Sequence, residues 1–219
     1  FEQKILSAKE KVDELEHVIF RQLCDTLKSQ TPQMRVLSET ISWIDIYTDF
    51  AYVAKQYGYV KPEISEDGSA IFEVLEGRHP VVERFVPEFV PNDIFMDKNL
   101  RMFILTGPNM SGKSTYIRQV GLIALMAQIG SFVPARRARL PIFDRIFTRM
   151  GARDDISTGK STFLTEMNEV ALILAKATEK SLVLLDEVGR GTSTFDGISI
   201  AWAMSEYIYN ELRCKTIFA

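Results

Sequence analysis

The sequence predicts an α/β fold with a mostly parallel sheet, preceded by an α-helical hairpin. Three observations carry this. Apolar strand-like runs alternate with helix-length amphipathic segments from Arg101 to Ala219, and such alternation builds a parallel sheet covered on both faces. A glycine-rich turn, Gly107 to Thr115, joins one strand to one helix. Residues before Tyr57 carry apolar positions at helical spacing.

The helical region comes first. Ile5, Ala8, Val12, Leu15, Ile19, Leu23 and Leu27 recur every three or four residues. Ser29-Gln30-Thr31-Pro32 then interrupts the pattern. Thr31 suits an N-cap and Pro32 a first helical position, so a second helix is expected to about Tyr57. Leu37, Ile41, Ile44, Tyr47 and Ala51 would form its inner face, widened by Trp43, Ile46 and Phe50. Residues 1–57 therefore read as a hairpin, and 58–219 as a separate domain. The apolar repeat is too short to insist on a coiled coil.

Gly58 to Gly68 reads as a linker. Ala70 to Glu76 alternates as a strand, and Gly77-Arg78-His79-Pro80 turns the chain. Pro87, Pro91 and Asn92 mark a loop around Phe89. The following elements are a strand at 102–105, a helix at 116–130, strands near Phe132 and over 142–149, a helix at 164–178, a strand at 182–186, a helix at 198–212 and a last strand at 215–219.

Gly107-Pro108-Asn109-Met110-Ser111-Gly112-Lys113-Ser114-Thr115 fits GxxxxGK[ST] between a strand and a helix, the context that marks a phosphate-binding P-loop. Glycines let the backbone wrap a phosphate without a Cβ in the way. Successive N–H groups and the helix N-terminus then point positive dipole at the anion. Lys113 would reach the β- and γ-phosphates, and the Ser114 hydroxyl would ligate Mg²⁺. Met110 reads as loop packing. Downstream, Leu182-Val183-Leu184-Leu185 leads into Asp186-Glu187. Functional groups of open α/β sheets gather at the carboxyl ends of strands. Asp186 is placed to hold Mg²⁺ and Glu187 to polarise the water attacking a γ-phosphate.

Composition bounds the partners. The 219 residues are 46% hydrophobic, enough for one sizeable core with an appendage. A net charge of −3 leaves no electrostatic footprint for nucleic acid. No apolar run approaches the ~20 residues of a membrane helix. The N-terminus lacks Met and any signal-peptide layout, as expected of an internal piece. Cys24 and Cys214 have no metal-ligand spacing and read as thiols of a reducing, cytoplasmic compartment.

Four segments together, TGPNMSGKST, DRIFTRMGARDDI, STFLTEMNEVA and LLDEVGRGTSTFDG, resemble the ATPase domain of the MutS family of DNA mismatch recognition proteins. The resemblance covers nearly the whole chain, with the N-terminal helices resembling the end of a lever region. It implies a P-loop NTPase of the ATP-binding-cassette type that binds ATP or ADP with Mg²⁺ and works as a homodimer. It also implies mismatched duplex DNA bound through other domains, and a MutL-type partner. On this resemblance Asn109 and Gly112 to Thr115 belong to the phosphate loop, and Asp186 and Glu187 match the magnesium and water-activating positions. Phe89 resembles a residue that stacks on adenine, with Asn92 beside it; packing into the core is its alternative. Ser161 matches a signature serine that reaches the nucleotide of the opposite subunit, and the same hydroxyl reads locally as an N-cap.

Bland roles remain for other residues. His79 reads as a structural turn histidine and His17 as solvated. Arg136, Arg137 and Arg139 read as a solvated basic loop, with a phosphate or partner contact as the alternative. Asp154-Asp155 read as turn or cap residues, with assistance to the magnesium region as the alternative. The resemblance further implies a Thr-His pair after Ala219 that senses the γ-phosphate, so slow turnover is expected of this stretch alone. No Phe-x-Glu triplet occurs, so no mismatch reading is expected of it. Rival classes are another cassette ATPase, a GTPase or kinase, and a nucleotide-dependent dimerisation module without hydrolysis. Leu-Ser-Gly-Gly-Gln and Asn-Lys-x-Asp motifs are absent, which speaks against the first two.

Overall fold

Polar and apolar residues at helical spacing extend through the first 57 positions, and in the computed structural model they form one helix. Residues 2–65, 70–151 and 162–219 are described, and they divide into two units, 1–51 and 52–219. Helix α1 spans Glu2–Tyr57 with Pro32 inside it. The expected hairpin is thus corrected to a single helix. Proline removes one N–H and one intrahelical bond, but the hydroxyls beside it stay within the helix. Ser29 Oγ donates to Thr26 O at 2.7 Å and Thr31 Oγ1 to Leu27 O at 3.1 Å. Thr31 therefore bonds back to the preceding turn, as mid-helix threonines do, and caps nothing. The expected inner face is corrected too: Leu37, Ile41, Ile44 and Tyr47 are exposed, with no second helix folded back on them among the described residues. Trp43 and Tyr47, one turn apart, stack at 5.7 Å.

The second unit holds two sheets. One is built from Glu63–Ser65 (β1), Phe72–Gly77 (β2), Asn92–Met96 (β3) and Arg137–Pro141 (β5). Its order is β1-β5-β2-β3, with β1–β5 parallel and the rest antiparallel. The other is built from Met102–Ile104 (β4), Ile146–Arg149 (β6), Leu182–Leu185 (β7) and Lys215–Phe218 (β8). Its order is β4-β8-β7-β6, and all its pairs are parallel. The single mostly parallel sheet is corrected accordingly: the parallel sheet stands, with a mixed sheet beside it. The linker at 58–68 contains β1, the basic segment at 136–139 contains the start of β5, and the strand expected near Phe132 is only a bridge of Val60 with Val133.

Helices α2 (Lys113–Gln128), α3 (Thr162–Lys176) and α4 (Thr194–Tyr207) complete the unit, α4 running into a π-helical turn at Ile208–Leu212. Strand β7 is buried at every position, as a parallel strand covered on both faces should be. Its side chains alternate. Leu182 and Leu184 join a core with Ile117, Val120 and Ile123 of α2 and with Phe72 and Val74 of β2. Val183 and Leu185 join another with Val170 and Ile173 of α3 and Met204 of α4. This sandwich fixes the carboxyl ends of β4, β7 and β6 along one edge.

Candidate nucleotide site

That edge carries the chemistry-bearing residues. Strand β4 runs out through Leu105, whose N–H donates to Phe218 O at 2.7 Å. The chain then turns through 106–112 and enters α2 at Lys113. Gly112 precedes the helix with φ 94°, a left-handed conformation that glycine adopts without strain. The first-turn amides of α2 lie next to this turn and present the positive end of the helix dipole. Lys113 Nζ donates to Gly107 O at 2.8 Å and Pro108 O at 3.0 Å, so the ammonium is held over the loop.

A cleft of ≈ 840 Å³ opens here. Of the residues singled out in the sequence, Phe89, Asn92, Gly107, Pro108, Ser111, Gly112, Lys113 and Thr115 line it. Phe89 is half-buried, so it joins the cleft and not the sealed core. Asn92 opens β3, its amide donating to Val90 O at 2.8 Å. Asn109, Met110 and Ser114 are not among the lining residues. Ser114 is half-buried in the first turn of α2. Met110 is fully exposed with φ 64°, which corrects its reading as loop packing. Sequence reasoning missed Tyr116 and Gln119 in the cleft wall. Tyr116 donates to Asp93 O at 2.9 Å, and burial pushes its phenol up to about 12. Gln119 Oε1 is buried without a partner. The available signal was stepwise: Tyr116 lies three residues after Lys113 and Gln119 three after Tyr116, each pair neighbours on the helix surface.

The acidic pair lies two strands from the loop, β8 standing between. Asp186 is 4% exposed, and its Oδ1 is buried without a hydrogen-bond partner. An orphaned buried carboxylate oxygen costs free energy unless a cation meets it, so the residue fits a hard cation such as Mg²⁺. Glu187 is exposed and adopts φ 55°, a left-handed conformation uncommon for this residue type. Its N–H donates to Ala219 O at 2.9 Å, and Asp186 N–H donates to Arg149 O at 2.7 Å. Arg190 Nη1 lies 2.6 Å from Glu187 Oε2.

The turn after Glu187 is tightly packed. Gly189 has φ 85°, and a Cβ there would lie 2.9 Å from the Gly197 backbone. Ser193 then caps α4, its Oγ accepting from Asp196 N–H. Ser161 and Asp154-Asp155 lie outside the described residues.

The remaining polar residues have structural partners. His79 is buried, and its Nδ1 accepts from Val81 and Val82 N–H at 3.2 and 3.3 Å. Burial pulls its pKa below the usual imidazole value. Arg136 and Arg137 sit at and beside β5 and pair with Glu76 and Glu63, while Arg139 Nε donates to Ser65 Oγ. Cys24 and Cys214 are free thiols. No helix among the described residues is long and apolar enough to cross a membrane.

Comparison with known proteins gives the family. Residues 103–219 match the family model described as MutS domain V. The whole chain is 78% identical to the DNA mismatch repair protein MutS of Fervidobacterium nodosum, covering 26% of that protein. It is 66% identical to the MutS of Thermosipho melanesiensis, again covering 26%. Against the MutS of Petrotoga mobilis the identity is 55% over 218 residues, covering 27%. The chain spans about a quarter of the length of these relatives. With the strand–loop–helix at 102–128 falling almost wholly inside the matched domain, this chain belongs to the MutS family.

Proposed function

We propose that residues 58–219 are a Mg²⁺-dependent ATPase domain of the cassette type, coupling nucleotide state to a DNA clamp in a mismatch repair protein. The carrying observation is that Phe89 and Lys113 line one cleft, an aromatic ring for a base and an ammonium for phosphates. The buried, unpartnered Oδ1 of Asp186 adds support for a cation at the same sheet edge.

In this reading Phe89 stacks on adenine, and Asn92 borders the base and sugar. The backbone of Gly107, Pro108, Asn109, Met110, Ser111 and Gly112 wraps the phosphates, with Thr115 closing the first turn. Lys113 exchanges its bonds to the Gly107 and Pro108 carbonyls for β- and γ-phosphate oxygens. Asp186 and Ser114 would hold Mg²⁺, which when bound neutralises phosphate charge. Glu187 orients and polarises the attacking water. Catalysis by positioning and charge neutralisation is what phosphoryl transfer demands. Ser161 of a second copy completes the site in a homodimer. Mismatched DNA and a MutL-type partner engage other parts of the protein, in the cytoplasm.

ATP hydrolysis measured against protein concentration, with Mg²⁺ present and Lys113→Ala as control, tests this. Specific activity rising with concentration, and nucleotide affinity falling at least tenfold in the variant, is expected. Unchanged affinity in Lys113→Ala would overturn the site. A flat specific activity would overturn the composite dimer.

A further inference from the structure

The buried carboxylate of Glu166 plays no part in the proposed chemistry, yet it reaches the loop that carries Glu187. Glu166 lies on α3 and is 3% exposed. Its Oε1 accepts from the buried Gly189 N–H at 2.6 Å, across 23 residues of sequence. Its Oε2 lies 3.7 Å from Arg149 Nη2, and Arg149 is itself 5% exposed at the end of β6. Arg149 has a second acid, Glu169 of the same helix, at 3.0 Å.

Gly189 is two residues beyond Glu187, in a turn where Arg190 also lies 2.6 Å from the Glu187 carboxylate. Glu187 holds an unfavourable positive φ, and such a conformation persists only where its surroundings over-determine it. On one side the Glu187 N–H is tied to Ala219 O. On the other, Gly189 is pressed against Gly197 of α4, and its N–H is held by Glu166. A charge-assisted bond to a buried amide is short and strong, and leaving that amide unpaired costs free energy.

We infer that Glu166 is a positioning residue: by accepting the Gly189 N–H it holds the 187–191 turn in the strained form that aims Glu187. This rests on Glu187 being the water-polarising group. Arg149, 3.7 Å from Glu166 Oε2, is the anchor that orients Glu166, and Glu169 at 3.0 Å gives Arg149 a second acid.

The test uses the intact protein with Glu166→Gln, which retains a carbonyl oxygen to accept the N–H, and Glu166→Met, which retains the volume without an acceptor. Hydrogen exchange of the peptide spanning 188–193 reads the bond directly, whether or not ATP is turned over. Exchange should quicken at least tenfold in Glu166→Met and stay within about threefold of wild type in Glu166→Gln. In parallel, kcat for ATP should fall by about 10²-fold in Glu166→Met, the scale of a small misplacement of a catalytic group, with nucleotide Kd changed less than about threefold. Glu166→Gln should keep kcat within about fivefold. Equal losses in both variants would overturn the inference, since charge and not the acceptor would then matter. Unchanged exchange in Glu166→Met would overturn it as well. If Glu166→Met fails to fold, Glu166→Gln decides alone: exchange and kcat near wild type support the inference, and a loss in either overturns it. Failure of the ATPase reading itself would show separately, as no turnover in wild type and no effect of Glu187→Gln.

Discussion

Replacing Asp186 by Asn should move stability in opposite directions depending on magnesium. In the chain without ligand, Asp186 Oδ1 is buried and has no hydrogen-bond partner, and the residue is 4% exposed. An unsatisfied buried polar group costs about 1–3 kcal/mol, and a charged one more. The neutral amide has nearly the same shape and removes the charge. Asp186→Asn should therefore stabilise the ligand-free protein by about 1 kcal/mol, or about 2–4 °C in Tm for a domain of this size. With Mg²⁺ and nucleotide at a hundredfold excess over Kd, wild type should gain about 2.7 kcal/mol by mass action. The variant should gain far less, because a neutral amide is a poor ligand for a hard cation. Calorimetric or fluorimetric melting of both proteins, with EDTA and with Mg²⁺-ATP, reads all four states. A variant less stable than wild type in EDTA would refute the unsatisfied-carboxylate argument. One stabilised by Mg²⁺-ATP as strongly as wild type would refute the assignment of Asp186 to the cation.

Other outcomes are expected. Phe89→Ala should weaken ATP binding by about 1–3 kcal/mol, the usual worth of a base–aromatic stack, while inorganic triphosphate binding stays unchanged; competition titrations measure both. Leu184→Ala, at a fully buried position of the parallel sheet, should cost about 2.7–5 kcal/mol in denaturant unfolding. The lowered pKa of His79 means that the unfolded chain binds its proton first. Its contribution is complete above the usual value near 6.5 and is lost as pH falls through the lower folded value. Stability should therefore drop more steeply below pH 6.5 in wild type than in His79→Gln, by thermal melting across pH 5 to 8.

What was readable in the sequence was whatever local chemistry enforces. Glycine, lysine and hydroxyl at fixed offsets between an apolar run and a helical segment marked a strand and a helix over 102–128, and β4 and α2 stand there. The β7 run could be read because a strand buried on both faces must be apolar throughout. Strands β1 and β5 were missed because their alternating charges pair across the mixed sheet: Arg137 with Glu63, and Arg136 beside it with Glu76. That pairing is invisible until the partner strand is known. The turn expected at Pro32 does not form, and the helix runs through it. Pro32 has the look of a helix start, but a long helix accepts one lost bond when nothing else turns the chain. The contact from Glu166 to Gly189 had no signal at all, since it depends on α3 and the end of β7 meeting in space.

The position of β8 has a geometric consequence. Strands β4 and β7 do not pair with each other; each pairs with β8. The glycine-containing loop at 106–112 leaves one and the acidic pair leaves the other, so their separation is two strand spacings, roughly 9.5 Å from the ordinary repeat of a sheet. The gauge of the site is thus inherited from backbone hydrogen bonding and is indifferent to loop sequence. Substitutions in the loops can change which groups face the gap, but only a change in strand order could change its width.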